Sequence, residues 1–195
     1  ILQRLPDIQA VHGDLFTVPM RIWFYRQPPL EPLVKRAAKL ERKLPPQFSV
    51  YIHGDFNVDN IIYDPDSGRI HFIDLHRSRY MDYLQDVSVF MVSCCRLPIR
   101  DPAISERTQS VIMTMDQAAR RFARRQQDEH YELRLALGLA RSLTTSTRFM
   151  ADRSQARRFI ERARWLLERV LETPSQRLPD FKLPLKELFR DIHSV

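Results

Sequence analysis

Glycine is scarce in this sequence, four residues in 195, and the scarcity is informative. The glycine-rich turns that cradle nucleotide phosphates, G-x-G-x-x-G and G-x-x-x-x-G-K-[ST], need several glycines within a few positions, and neither pattern occurs. Cysteine is scarcer still. The two present are adjacent, Cys94-Cys95, a spacing that builds neither a disulfide framework nor a zinc site. A reducing, cytoplasmic setting is the natural expectation for such usage. No apolar run approaches the roughly eighteen residues of a membrane-spanning helix, and the first residues lack the layout of a signal peptide. An initiating methionine is also missing, so a piece of a longer chain is expected. Repeats and low-complexity tracts are absent.

What is present is mostly basic and helical. The 31 Lys and Arg outnumber the 24 Asp and Glu, a net charge of +7 that favours anionic partners over cationic ones. Arg120-Arg121, Arg124-Arg125 and Arg157-Arg158 fall in helical patterns, where a solvated outer face has the same appearance. With no reading motif and no interleaved aromatics, nucleic-acid binding is not expected. The length suits one sizeable core.

Along the chain, positions 1–29 contain apolar pieces at 8–11 and 20–25 that fit either short strands or a helix and turn. Positions 30–44 carry Leu33, Val34, Ala37, Ala38 and Leu40 at helical spacing, closed by Pro45-Pro46. Positions 83–95 read as a buried helix on Val87, Phe90 and Met91, ending in the two cysteines, which in that setting are small core residues. Asp101-Pro102 is a helix-start signal, an Asp cap followed by Pro in the first turn. The helix it opens is expected to bury Val111, Met115, Ala118, Ala119 and Phe122. Further helices are expected over 131–150, over 154–171 on Phe159, Ile160, Ala163, Leu166, Leu167 and Val170, and over 185–192.

The chemistry concentrates in 51–88. Val50-Tyr51-Ile52 reads as a short buried strand, followed by His53-Gly54-Asp55-Phe56-Asn57-Val58-Asp59-Asn60. Ile61-Ile62-Tyr63 is a second strand, Asp64-Pro65-Asp66-Ser67-Gly68 a strong turn signal, and Arg69 to Ile73 the returning strand of a hairpin. That hairpin delivers Asp74 back beside Asn60. Four residues separate Asp55 from Asn60, the spacing of a kinase catalytic loop. A carboxylate within hydrogen-bond reach of a hydroxyl takes or orients its proton, a role open to Asp55. The Asn60 amide oxygen and the Asp74 carboxylate suit a hard magnesium ion, which prefers oxygen ligands. Asn57 and Asp59 read as local loop hydrogen-bonders. For Asp86, ahead of an apolar helical run, an ordinary solvated or capping role is the alternative to a supporting one. A second copy, His12-Gly13-Asp14, is followed five residues later by Pro19, which offers no amide oxygen, and is read as a strand-end turn.

This stretch resembles the aminoglycoside phosphotransferases and their wider relatives, small-molecule kinases that share the protein-kinase fold. The resemblance rests on His-Gly-Asp with Asn60 five residues on, on Phe72-Ile73-Asp74-Leu75 after the hairpin, on Arg77-Ser78, and on Asp86-Val87. It implies an α+β, mainly helical chain: a kinase-like C-terminal lobe whose short β-hairpin carries the catalytic and metal-binding loops. The expected parts are a lead-in segment and helix over 1–45, a catalytic core over 46–90 and a helical acceptor subdomain over 101–195. A nucleotide lobe is expected upstream of Ile1, and without it the isolated chain is expected to be inactive. By the same resemblance Asp55 is the base, Asn60 and Asp74 are the metal ligands, and His53 and Asp86 support the loop. ATP and Mg2+ are the implied cofactors. His76 stands where the family has Gly, so a side chain there alters the loop or points at substrate; it and Arg77 are candidate substrate or phosphate contacts.

The expected activity is transfer of the γ-phosphoryl group of ATP to a hydroxyl of a small molecule or sugar. The alternative is a catalytically silent kinase-like module that binds a partner through basic helices. A protein kinase fits less well, since His-Gly-Asp replaces His-Arg-Asp and no Ala-Pro-Glu follows Asp74. Over 131–195 there are 13 Lys and Arg against 8 Asp and Glu, a balance of +5. That balance favours a neutral or anionic acceptor, such as a sugar or sugar phosphate, over a polycationic aminoglycoside. The Ile-Asp-Leu-His-Arg run also resembles lipopolysaccharide core sugar kinases.

Overall fold

A computed structural model describes residues 4–17, 20–22, 25–27 and 29–190. The chain is mainly helical, with three two-stranded antiparallel sheets among the described residues. It divides into two compact units: Ile1–Pro45 with Glu132–Leu183, and Pro46–Tyr131 with Pro184–Val195.

The first unit is built from helices α1 (Leu5–Thr17), α2 (Leu30–Glu41), α5 (Tyr131–Ser146, all but its first residue) and α6 (Arg153–Glu172), with a small β1–β2 ribbon (Met20–Ile22 and Tyr25–Gln27). Helix α5 is buried along most of its length, with Leu135, Ala136, Leu139, Ala140 and Leu143 inaccessible. In α6 the buried residues are the expected stripe together with Ala156 and Arg164, and Asp152 caps the helix by accepting the Ser154 N–H at 2.8 Å. The helix over 131–150 ends earlier than expected, at Ser146, and a 3-10 turn, Thr147–Phe149, follows.

The His12-Gly13-Asp14 copy lies inside α1, which corrects the strand-end turn expected from its glycine. Ile8, His12, Leu15 and Phe16 share one helical face and are all buried. His12 leaves helical geometry locally (φ −137°, ψ 40°), and its Nε2 pairs with the Met150 carbonyl oxygen at 2.9 Å. Asp14 is ion-paired with Arg153, whose guanidinium holds the Asp14 carboxyl below its ordinary range. Of the undecided 1–29 segment, 1–3, 18–19, 23–24 and 28 lie outside the described residues, as do 191–195, which include the last two positions of the helix expected over 185–192; α7 spans Leu185–Leu188.

The second unit carries the two remaining sheets. Strand β3 (Val50–Ile52) pairs with β6 (Arg79–Met81), and β4 (Ile61–Asp64) pairs with β5 (Arg69–Phe72) as the expected hairpin, with Ile61 opposite Phe72 and Asp64 opposite Arg69. Strand β3 is not buried as a whole: Ile52 is inside, while Tyr51 faces out and meets Tyr80 edge-on across the ribbon. Helix α3 (Leu84–Cys94) buries Leu84, Val87, Ser88, Met91 and Val92, and Cys94 at its end and Cys95 just after it are core residues. Phe90 is only half-buried and stacks on Phe56, with centroids 5.5 Å apart.

Helix α4 (Pro102–Arg125) opens as expected, with Asp101 accepting the Ala103 N–H at 2.8 Å. Of its expected stripe Ala119 is buried; the rest is corrected by one position, to Ile112, Asp116 and Ala123, with Val111 exposed. The reason is Asp116, which a hydrophobic count skips. Its carboxylate accepts the Tyr131 hydroxyl at 3.0 Å and Arg120 Nε–H at 2.8 Å, so a polar residue turns inward and takes the face with it. Burial and the neighbouring Asp116 raise the Tyr131 phenol above its ordinary value. Tyr83, stacked on Phe48 and edge-on to Phe122, donates its hydroxyl to Asp128 at 2.8 Å.

Candidate active site

All seven candidate residues, His53, Asp55, Asn60, Asp74, His76, Arg77 and Asp86, lie in the second unit, in three segments of chain. The first leaves β3 at His53. Gly54 takes φ +83°, a region that L side chains rarely adopt, and a Cβ on it would stand 2.9 Å from the Arg77 carbonyl carbon. Only glycine lets the two segments approach this closely. The chain then passes Asp55 and enters a 3-10 turn, Val58–Asn60, that runs directly into β4.

The hairpin brings the second segment back. Beyond the last β4–β5 pair, Ile61 with Phe72, the Ile73 N–H donates to the Asn60 carbonyl oxygen at 3.1 Å. The ladder therefore continues one residue past the strands, and Asp74 follows immediately. Asp74 is left-handed (φ 60°, ψ 48°), a conformation that costs a non-glycine residue about 1–2 kcal/mol and that collects at functional sites.

Hydrogen bonds tie the segments into one network. The Asn60 Nδ2–H donates to the Asp55 carbonyl oxygen at 2.8 Å. The Asp55 carboxylate accepts Asn57 Nδ2–H on Oδ1 at 2.6 Å and Arg77 Nη1–H on Oδ2 at 2.8 Å. The His53 ring bridges both sides: Nε2 donates to the Ile73 carbonyl oxygen at 2.9 Å, and Nδ1 faces the Asp55 N–H at 3.4 Å. Since a carbonyl only accepts, the proton on His53 sits on Nε2.

His76, the residue standing for a glycine, turns back on the loop. Its Nδ1 lies 2.5 Å from Asp74 Oδ1, and its Nε2 accepts Arg77 Nε–H at 3.2 Å, which assigns the ring proton to Nδ1. Asp74, His76, Arg77 and Asp55 thus form a continuous polar chain. His76 and Arg77 keep side-chain exposures of 60% and 47%, so both remain open to a ligand.

Helix α3 supplies the frame. In its first turn Asp86 accepts the His53 N–H on Oδ2 at 2.7 Å and the Gly54 N–H on Oδ1 at 2.9 Å, so it is neither simply solvated nor a cap. Desolvation raises its pKa above 3.8, partly offset by those two donors. At the other end Ser93 Oγ accepts the Val58 N–H at 3.0 Å, and just beyond the helix Arg96 Nη2–H reaches Asn57 Oδ1 at 3.1 Å. Ser93, Arg96 and the Phe56 ring, packed among His53, Phe72 and Phe90, escaped the sequence reading. Ser93 and Arg96 stand 35 and 39 residues from their partners, and no spacing rule connects them.

The donor set was tested against a divalent cation. Among the described residues no group of three or more His, Cys, Asp or Glu could hold a metal. A magnesium ion does not need one, because it keeps waters and takes phosphate oxygens beside one or two protein oxygens. Asn60 commits its amide nitrogen to Asp55, which leaves its oxygen as the acceptor end, and Asp74 has one carboxylate oxygen beyond the His76 contact. Both are hard oxygen donors, and the residues fit the ion.

No helix among the described residues is long and apolar enough to cross a membrane. No curated protein and no solved structure gives a significant match. The profile of the phosphotransferase enzyme family matches residues 22–136, more than half of the chain and the whole of the network above. The chain therefore belongs to the phosphotransferase enzyme family, whose members are kinase-type enzymes.

Proposed function

We propose that the protein transfers the γ-phosphoryl group of ATP, with Mg2+, to a hydroxyl of a small molecule or sugar, with Asp55 as base. The observation that carries this reading is the single hydrogen-bonded network joining Asp55, Asn60 and Asp74 through the β4–β5 hairpin. Asn60 and Asp74 would hold the cation, which when bound neutralises charge on the nucleotide phosphates.

The chain's own residues do the rest. Asp55 receives the acceptor hydroxyl on Oδ2, in place of the Arg77 contact, and takes or orients its proton. Arg77, displaced from the carboxylate, stays beside the reacting oxygen as a donor-rich cation suited to phosphate oxygens. Asp86 and His53 hold the loop in place through its backbone. His76 restrains Asp74, so the glycine position of the family here carries a second-ligand orienter. Residues 46–90 form the catalytic core, within the second unit. With a half-exposed guanidinium next to the base, a polycationic acceptor is disfavoured and a neutral or anionic one preferred.

The test is Asp55→Asn in the full-length protein, assayed with [γ-32P]ATP and Mg2+ on a panel of hexoses, hexosamines and hexose phosphates. Transfer falls on the order of a hundredfold or more, the scale of a lost general base, while the melting temperature holds. Undiminished transfer by Asp55→Asn removes the assignment.

A further inference from the structure

We infer that Arg96 is a positioning residue for Asp55, acting through the carboxamide of Asn57, an inference that rests on Asp55 serving as base. Asn57 stands between two groups of opposite character. On one side its Nδ2–H donates to Asp55 Oδ1 at 2.6 Å; on the other its Oδ1 accepts Arg96 Nη2–H at 3.1 Å. A carboxylate only accepts and a guanidinium only donates, so one of the two amide orientations satisfies both neighbours and the flipped one satisfies neither. Arg96 thereby sets the direction of the Asn57 amide, and the amide sets Asp55.

The rest of the geometry supports a positioning role over an incidental contact. The Arg96 side chain is only 21% exposed, and its Nε is buried with no hydrogen-bond partner, an arrangement that is costly to keep. Its backbone is fixed by the N–H bond to the Ser93 carbonyl at 3.1 Å, directly after α3, and Ser93 itself holds Val58 of the same loop. The Asn57 backbone is fixed as well, its N–H on the Asp55 carbonyl at 2.8 Å and its carbonyl on the Asn60 N–H at 3.0 Å. With both main chains anchored, the remaining freedom is rotation of the amide. Tethering Asp55 Oδ1 leaves Oδ2 as the oxygen that meets the acceptor hydroxyl. Without Arg96 the amide loses the donor that holds its oxygen, rotates away from Asp55 part of the time, and leaves the carboxylate without its tether.

Arg96 has one further contact, Asp59 Oδ2 at 3.5 Å, on a side chain 74% exposed. A purely structural brace would work through that pair as much as through Asn57, and the experiment separates the two. In the full-length protein, transfer from [γ-32P]ATP to the hexose and hexose phosphate panel, and basal hydrolysis to water, are measured for Arg96→Met, Arg96→Lys, Asn57→Ala, Asp59→Asn and the double variant Arg96→Met/Asn57→Ala. Arg96→Met and Asn57→Ala each lower kcat by on the order of tenfold to a hundredfold, the cost of a misplaced catalytic group, with KM for ATP unchanged. The double variant is no slower than Asn57→Ala, because the two act in series. Arg96→Lys, which keeps a donor, recovers most of the rate, and Asp59→Asn leaves it unchanged. Additive losses, or loss in Asp59→Asn equal to that in Arg96→Met, overturn the relay.

A second measurement needs no turnover. The Asn57 side-chain NH2 signals of 15N-labelled protein, assigned by their disappearance in Asn57→Ala, shift in both Arg96→Met and Asp55→Asn if the amide spans the two; signals that ignore either substitution also overturn it. Full activity in Asp55→Asn would instead strike the parent reading, so the two failures are told apart.

Discussion

Asp86 is the residue whose removal tests the loop's construction most directly, because one carboxylate serves two adjacent backbone N–H groups, of His53 at 2.7 Å and Gly54 at 2.9 Å. Hydrogen bonds to a charged acceptor contribute about 1.5–3 kcal/mol each, and a buried donor left unpaired costs about 1–3 kcal/mol. Asp86→Ala strips both donors in a half-buried site where water satisfies them only in part, so the loss is about 2–4 kcal/mol. Asp86→Asn keeps one acceptor and turns an NH2 toward the other N–H, while removing a charge whose burial is unfavourable; the net loss is about 1–2 kcal/mol. Urea unfolding at 25 °C with a common m-value reads both. The pH dependence has a defined sign. Burial raises the folded-state pKa above the ordinary 3.8, so within the window above 3.8 the native state binds this proton more tightly than the unfolded chain. Wild-type stability therefore falls as pH rises through the folded-state value and levels off above it, whereas Asp86→Asn lacks that component. The wild-type advantage over Asp86→Asn is largest at the acidic end. A gap that widens toward neutral pH, or an Asn variant as damaged as the Ala variant, refutes the reasoning.

Two more substitutions or reactions probe other parts of the second unit. Gly54→Ala places a Cβ against the Arg77 carbonyl at φ +83° and is expected to cost about 2–4 kcal/mol in thermal unfolding, together with phosphotransfer; Gly68→Ala, at φ +66° with nothing within 4 Å, costs only the left-handed penalty of about 1–2 kcal/mol. Equal losses for the two would remove the close approach as the reason for Gly54. The thiols are the third case: Cys94 and Cys95 are 3% and 1% exposed, and burial pushes Cys94 up to about 11. Neither reacts with a thiol reagent at pH 7.5 until urea unfolds the protein, and rapid labelling of native protein would contradict their core placement.

The fold and site were legible in the sequence to unequal depths, and the differences have causes. Signals confined to a few neighbouring residues carried through: the Asp64-Pro65-Asp66-Ser67-Gly68 turn closes the hairpin, and Asp101 caps α4. Both depend on local backbone geometry that particular side chains enforce. The stripe of α4 was displaced because Asp116 is buried through partners at Arg120 and Tyr131, and polarity alone does not announce a satisfied buried carboxylate. The first His-Gly-Asp was misjudged because Gly13 suggested a turn, while Ile8, Leu15 and Phe16 held the segment helical. Strand β6 was missed outright, since three residues with an exposed pattern leave no alternation to detect.

The candidate site shows why chemistry was easier to find than its support. Asp55, Asn60 and Asp74 must sit at fixed offsets, because a turn of set length and a hairpin of set register carry them, and those offsets survive in the linear order. The supporting groups face no such constraint. Asp86, Ser93 and Arg96 work from one rigid element at 33, 35 and 39 residues' remove, and each holds a different point of the loop: its entry, the Val58 turn and the Asn57 amide. A helix fixes their mutual spacing to within its own rise per residue, so three anchors on one helix and its C-terminal edge define the loop's position and tilt together. A loop held at one end alone would be free to pivot about that point, and the carboxylate of Asp55 would move with it. The polar chain from Asp74 through His76 and Arg77 to Asp55 then has a fixed platform beneath it, and Arg77 and Asn57 hold separate oxygens of the Asp55 carboxylate, so loss of the Arg77 contact leaves the Asn57 tether in place.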